Sequence, residues 1–397
     1  MSHHSPPDQQ PFGLKAALML VTSLTILSGA TIAPALPEIA REYGDTARSE
    51  YLSKLLLTVP ALVIAGCGVG AGILVDRWGR RRLLFFGLVL YAVAGTSGFF
   101  LDNIYAILGG RALLGVAVAF VMTIATALVG DYFEGERRHK FLGIQGGFSV
   151  LGGMVFVGLA GWLTDFNWRY SFLLYLFSLF VLPLCVRYLY EPMAADKRRE
   201  MRVERVPDYS RPTVNLIFAT VFVYMLIFYM IPVQIPFLLV DLGITKYVLA
   251  GAAIAIGTVA AAVVAFFYKR IRARLHYAKI YALGFTLIGL GYLVIGQSTN
   301  FGIVIVGLIV SGCGVGTLVP NANLWLLSVV PEAIRGKATG KIASVLFLGQ
   351  FFSPIVVQPL VKMYDLHTVF SAVGVFTLVL GVGFSFSRFR EKELVRG

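Results

Sequence analysis

The sequence predicts an all-α membrane protein of twelve transmembrane helices in two pseudo-symmetric six-helix bundles, and three observations carry that expectation. Of its 397 residues, 57% are hydrophobic and 14% charged, and the mean hydropathy is +0.79, far more apolar than a water-soluble chain. A hydrocarbon layer about 30 Å thick takes about 20 helical residues per crossing. Apolar runs of that length fall at 14–36, 52–75, 83–101, 104–129, 141–163, 169–190, 212–240, 246–268, 277–297, 301–328, 338–363 and 367–387. Finally, most of the 34 Lys and Arg residues lie between these runs or near their ends. With both termini on one side, 27 fall on that side, 6 on the other, and Arg111 lies inside the fourth run. Basic residues collect on the cytoplasmic face of a membrane protein, so both termini are expected in the cytoplasm, in a bacterial inner (plasma) membrane. The net charge of +13 therefore reads as topology, and no nucleic-acid partner is expected.

Taken in order, the segment Met1 to Gly13 is polar, with His3, His4, Pro6 and Pro7. It lacks the basic start and cleavable flank of a secretory signal, so the first run reads as a retained span. The longest polar interval, Glu191 to Arg211, carries Lys197, Arg198, Arg199, Arg202, Arg205 and Arg211 among five acids at mid-chain. It reads as a cytoplasmic linker at 191–211, between an N-terminal bundle at 1–190 and a C-terminal bundle at 212–397. Arg138, Gly143 and Gly115 recur as Arg335, Gly340 and Gly312, each displaced by 197 residues, which points to a parallel repeat. The string Gly-Cys-Gly-Val-Gly at Gly66 to Gly70 and again at Gly312 to Gly316 sits on different helices of the two halves, and reads as close packing by small residues. No strand precedes the first string, which argues against a dinucleotide site. Cys67, Cys185 and Cys313 are scattered through apolar runs, so neither a disulfide framework nor a metal site is expected.

After the second run comes Gly72-Ile73-Leu74-Val75-Asp76-Arg77-Trp78-Gly79-Arg80-Arg81-Arg82. It resembles the signature loop of the major facilitator superfamily, G-x-L-x-D-R-x-G-R-R/K, at every fixed position. The fourth run opens Gly110-Arg111-Ala112-Leu113-Leu114-Gly115, similar to that family's second motif, and ends Gly130-Asp131-Tyr132-Phe133. Trp168-Arg169-Tyr170-Ser171-Phe172 looks like the W-R-x-x-F junction of the drug-efflux, drug:proton antiporter-like branch. The resemblance covers the whole chain. It departs in the fifth helix, where the register gives Gly152, Phe156, Val157, Ala160 and Gly161 without the branch's kinking proline. It departs again at Tyr268-Lys269-Arg270-Ile271-Arg272, where the second-half counterpart of the loop has lost its aspartate and glycine. An asymmetric pair of cytoplasmic gates is therefore expected.

The resemblance implies that the signature loop gates transport by latching the two halves in the outward-facing state. Gly72, Asp76, Arg77, Gly79, Arg80 and Asp131 are the gating candidates, with Gly79 permitting a tight turn and Asp76 or Asp131 accepting from helix ends or arginines. Arg111 reads as the one charge deep in a span, with no acid, Lys or His beside it in any helix interior. A lone intramembrane arginine marks a wet cavity, or else caps the carbonyls of a neighbouring helix. Helical spacing puts Gly115, Met122 and Thr126 on its face. In the tenth run Thr317, Asn321, Trp325 and Ser328 share a stripe opposite Asn323, which suits a cavity wall. Tyr224, Tyr229 and Gln234 lie on the seventh, interrupted by Pro232 and Pro236. Thr22, Thr25 and Gly29 share a face of the first, and Gln145 and Ser149 one of the fifth. The resemblance implies that helices 1, 4, 7 and 10 line a central cavity. For each polar residue, interhelical hydrogen bonding is the competing role.

These readings converge on a secondary active transporter that exports a small amphipathic organic molecule by alternating access. Cavity substrate contacts are expected from Arg111, Met122, Thr126, Thr25, Tyr224, Tyr229, Gln234, Asn321 and Trp325. The partners expected are a small-molecule substrate, the lipid bilayer and protons as the candidate coupling ion, in a monomer without cofactor or metal. The acids available for coupling, Asp76, Asp131, Glu38 and Asp241, all lie at helix ends. A sugar, metabolite or lysolipid transporter and a transporter-like sensor are the alternatives. An enzyme is not expected, because one arginine without an acid, histidine or reactive cysteine supplies no paired catalytic groups.

Overall fold

The computed structural model describes residues 11–44, 46–192 and 209–386, without the side chains of Ala30, Val69, Ile73, Asp76 and His139. Among the described residues, twelve helical segments are long and apolar enough to cross a membrane, and helices account for almost all the regular structure. The basic part of the linker, Lys197 to Arg205, lies outside the described residues.

Among the spans that are interrupted, the first and the seventh correspond. The first runs Phe12–Ala30, tightens into a short 3-10 turn at Ala33–Ala35 and resumes as Leu36–Glu42. The seventh runs Arg211–Phe228, breaks at Tyr229 and resumes as Met230–Asp241. The prolines responsible, Pro34 and Pro37 in one and Pro232 in the other, cannot donate to the helical ladder. The helix before the break is 19 residues long in one and 18 in the other. Packing follows the same repeat. The second span lies on the fourth as the eighth lies on the tenth, the first on the fifth as the seventh on the eleventh, and the third on the fourth and sixth as the ninth on the tenth and twelfth.

The halves meet chiefly through two pairs, the second span (helix Ala47–Trp78) with the eleventh (Arg335–Met363) and the fifth (Gly135–Thr164) with the eighth (Tyr247–Phe266), with the end of the first span against the seventh and eighth beside them. The fifth–eighth approach needs glycine. A Cβ on Gly161 would stand 2.6 Å from the Tyr247 carbonyl oxygen, and one on Gly251 2.6 Å from that of Val157, well inside van der Waals contact. Both contacts fall at the end of the bundle where the first span finishes, called the far end below.

Candidate functional site

The far end is stitched across the halves by polar groups. Tyr229, at the break of the seventh span, donates its hydroxyl to the Gly29 carbonyl at 2.9 Å, just where the first span loosens. Asp165, capping the end of the fifth span, accepts from the backbone amides of Tyr247 at 2.5 Å and Val248 at 3.3 Å. A carboxylate at the first amides of the eighth helix is favoured by the exposed donors there. The Tyr247 hydroxyl bonds Glu38, which also pairs with Arg41 at 3.2 Å. Lys54 on the second span donates to Gln358 on the eleventh at 2.7 Å.

Toward the other end the halves part. Of the fifth helix from Leu142 to Phe148 only Gln145 is buried, and with Ser149 it turns onto the first span, where the Ser149 hydroxyl lies 3.5 Å from that of Thr22. Nothing lies within 4 Å of where a Cβ would stand on Gly143, Gly146 or Gly147, nor on Gly336 or Gly340 of the eleventh span. Gly72 of the signature loop likewise opens onto free space. The molecule is thus closed at the far end and open at the end where the first span begins.

At this open end the signature loop is built inside the first half. Gly79 ends the second span with φ +86° and ψ 153°, a region essentially reserved for glycine. The turn starts the third helix at Arg80, whose first amides need acceptors. Glu191 supplies them, taking the Arg80 and Arg81 amides at 2.6 and 2.8 Å. Arg80 pairs with Asp131 at the end of the fourth span, and Arg81 donates to the Val186 carbonyl at 2.6 Å. The Tyr132 hydroxyl bonds the Tyr190 carbonyl. Arg77 lines a cavity of about 520 Å³ with Trp78, Arg82, Leu83 and Phe86 on the outside of the turn. The Asp76 side chain lies outside the described positions. The latch between the halves is expected in the outward-facing state; in the present conformation, open at the loop's own end, the bonds described stay among spans two, three, four and six. Glu191 was missed in the sequence because a capping acid a hundred residues from the helix it caps leaves no local pattern.

The second-half counterpart uses aromatic rings where the first uses carboxylates. Arg272 lies 4.0 Å above the Tyr277 ring and Arg270 5.1 Å above that of Phe267. Tyr268 donates to Asn321 at 2.9 Å. The loss of Asp and Gly from this segment thus goes with a different chemistry of cation–π contacts.

The expected cavity residues are not gathered on one wall. Arg111 is fully buried. Its Nε donates to the Leu56 carbonyl of the second span at 2.8 Å and one terminal nitrogen to the Ser28 carbonyl of the first at 3.0 Å, above the Tyr175 ring of the sixth at 5.1 Å. Gly115, on the same face, meets the Pro60 carbonyl. The face that helical spacing assigned to the cavity is, at this depth, the seam among four helices of one half. The stripe on the tenth span also differs from expectation. Asn321 is buried and donates to the Tyr277 carbonyl at 3.1 Å, while Trp325 stacks on Tyr277 at 5.8 Å and meets the tilted Tyr281 ring at 5.7 Å. An indole gains more against two flat rings than against an opening, so this stripe faces the ninth span and only Ser328 is exposed. Thr126 is exposed and Met122 and Thr25 are partly so, each threonine hydroxyl returning to its own helix. Tyr224 is buried against Phe228. Gln234 is fully buried, with neither amide atom hydrogen-bonded.

Lys54 corrects the sequence reading outright. It was counted among the basic residues in water on the far side, but it is fully buried, so Arg111 is not the one cation inside a span. Its carboxylate partner on the same helix is Glu50, one turn away at 2.5 Å.

This geometry, two repeated six-helix halves closed at one end, agrees with comparisons to known proteins. A family model described as Major Facilitator Superfamily matches residues 18–277 and 216–396. The chain belongs to the major facilitator superfamily. Superfamily relatives include the multidrug transporter protein MdtP of Bacillus subtilis, 26% identical over 160 residues, covering 40% of this chain and 29% of that protein. The multidrug efflux pump LfrA of Mycolicibacterium smegmatis is 32% identical over 160 residues, covering 40% of this chain and 31% of LfrA. These alignments span about a third of each relative's length. Among solved structures, the inward-open xylose transporter XylE of E. coli superposes with a TM-score of 0.75 at 13% identity, covering 97% of this chain and 96% of that one, a likeness of fold. Family and spans together make this a multi-pass membrane protein of a transporter family.

Proposed function

We propose that this superfamily member is a secondary active transporter of a bacterial inner membrane, exporting a small amphipathic organic molecule by alternating access. The observation that carries the proposal is the polarity of the bundle, tied across the halves at the far end and parted at the other. The asymmetry of basic residues puts the parted end in the cytoplasm, so the conformation is the one that loads substrate from inside. The multidrug relatives support export. The walls support an uncharged or anionic cargo, since no carboxylate among the described residues stands in a span interior to select a cation, and both interior cations are engaged with protein groups. Protons are the coupling ion in this reading, Arg111 a bracket for the first half, and the signature loop a gate that meets the second half when the cytoplasmic side closes.

The test is a flux screen of purified protein in liposomes against amphipathic drugs, sugars, metabolites and lysolipids at two pH values. Saturable export of an amphipathic compound, faster with a proton gradient, is expected. Flux confined to sugars or lysolipids, or no flux with retained binding, would overturn the export reading in favour of a metabolite carrier or a sensor.

The topology has its own check. In a background lacking Cys67, Cys185 and Cys313, Arg274→Cys in the loop before the ninth span should be shielded from an impermeant maleimide in intact cells, while Lys246→Cys before the eighth should react. The reverse pattern would invert the orientation.

A further inference from the structure

The far-end closure contains a cation for which the transport reading has no role. Lys54 sits two turns into the second span and is fully buried. Its Nζ donates to Glu50 Oε1 at 2.5 Å on its own helix and to Gln358 Oε1 at 2.7 Å on the eleventh span. The same ammonium lies 4.3 Å from the centre of the Phe237 ring, on the seventh. Asp241, at the end of the seventh span, interacts electrostatically with both Glu50 and Lys54, and is itself faced by His367 and Asp365 at the start of the twelfth. One buried cation thus contacts three helices, two of them in the opposite half.

We propose that Lys54 is the positioning residue that holds the outer gate shut, and that its release from Gln358 and Phe237 is a step toward the outward-open state. The proposal rests on the alternating-access reading above.

The contrast with Arg111 carries the argument. The described bonds of Arg111 all lie within the first half, so rigid rocking of the halves leaves them intact. Lys54 keeps only Glu50 within its own half, and rocking the second span from the eleventh must break the rest. Gln358 shows that this tie is releasable. An ammonium only donates, so Gln358 has to present its carbonyl oxygen. Its Nε2 is then left buried without a partner, and an unpaired buried donor is costly. Closure therefore holds the amide at a cost that opening relieves, while the ammonium, compensated by Glu50 throughout, is never left a bare buried charge. Gln358 is also where the balance can be moved both ways. A leucine there removes the cross-half acceptor. A glutamate removes the orphan donor and offers the ammonium a second carboxylate.

The experiment reads gate opening directly. Val157 is buried on the fifth span beside Gly251 of the eighth, so a cysteine placed there in the cysteine-free protein reports access from outside. Labelling by an impermeant maleimide in right-side-out proteoliposomes is normalised to Thr299→Cys, an exposed position between the ninth and tenth spans. Gln358→Leu and Lys54→Met should each raise the labelling rate by about tenfold, Gln358→Glu should lower it by a similar factor, and Lys54→Arg should stay near the parent rate. A Lys54 that only supports folding would leave labelling unmoved by both Gln358 variants, or moved in the same direction, and either result overturns the proposal. If Lys54→Met fails to fold, the two Gln358 variants decide. The labelling needs no substrate. An intact gate response without flux would therefore sink the export reading alone, and flux without a gate response would sink the latch alone.

Discussion

Replacing Arg111 by alanine is expected to cost about 3–5 kcal/mol of stability, the range for truncating a large, fully buried side chain. The guanidinium joins the carbonyls of Leu56 and Ser28 beneath the fourth span and lies over Tyr175 of the sixth. Truncation would free two buried acceptors and open a void beneath an aromatic ring. Pro60, one turn after Leu56, has no N–H to offer the Leu56 carbonyl, so the loss is of an acceptor's donor as well as of the bracket that fixes four helices in one half. Arg111→Lys should recover only part of it, because a point charge cannot reach two carbonyls in different directions as a planar fork does. Melting temperature and substrate affinity measured on the same purified variants separate the roles. A lowered melting temperature with unchanged affinity supports the bracket. Affinity lost at an unchanged melting temperature would return Arg111 to the binding site.

Gly79→Val should abolish most transport while leaving substrate affinity close to the parent value. A β-branched residue cannot adopt φ +86° and ψ 153° without strain of a few kcal/mol, and its Cβ would stand 3.2 Å from Glu191 Oε1. The turn would shift, Glu191 would lose the Arg80 and Arg81 amides, and Arg80 would be carried away from Asp131. Since none of these groups lies near the middle of the bundle, the effect falls on the rate of the conformational cycle. Asp76→Asn, beside the same turn, is expected to act in the same direction. Glu191→Gln keeps the turn and weakens only the cap, so its effect should be milder. Flux in liposomes set beside equilibrium binding makes the test. Parent-level flux in Gly79→Val would remove the loop from the gate.

The sequence by itself determined the span count, the repeat, the family and the position of the signature turn. Each is written in a local or periodic code: hydrocarbon thickness sets run length, a glycine marks a positive φ, and a duplicated order of spans repeats its small and basic residues. The tertiary structure alone decided which polar faces are open. Helical spacing correctly grouped Arg111 with Gly115, and Thr317 with Asn321 and Trp325, but a face has no address until its neighbour is known. Both groups turned toward helices of their own half, because buried carbonyls and aromatic rings in reach compete with a water-filled opening for the same side chains. Lys54 and Glu191 show the same limit. One reads as one more basic residue of the far side and the other as the first acid of a linker, and each owes its role to a group on a distant span. Such partners are chosen by packing, which favours pairing a donor or charge held away from water, and spacing along the chain carries no trace of that choice.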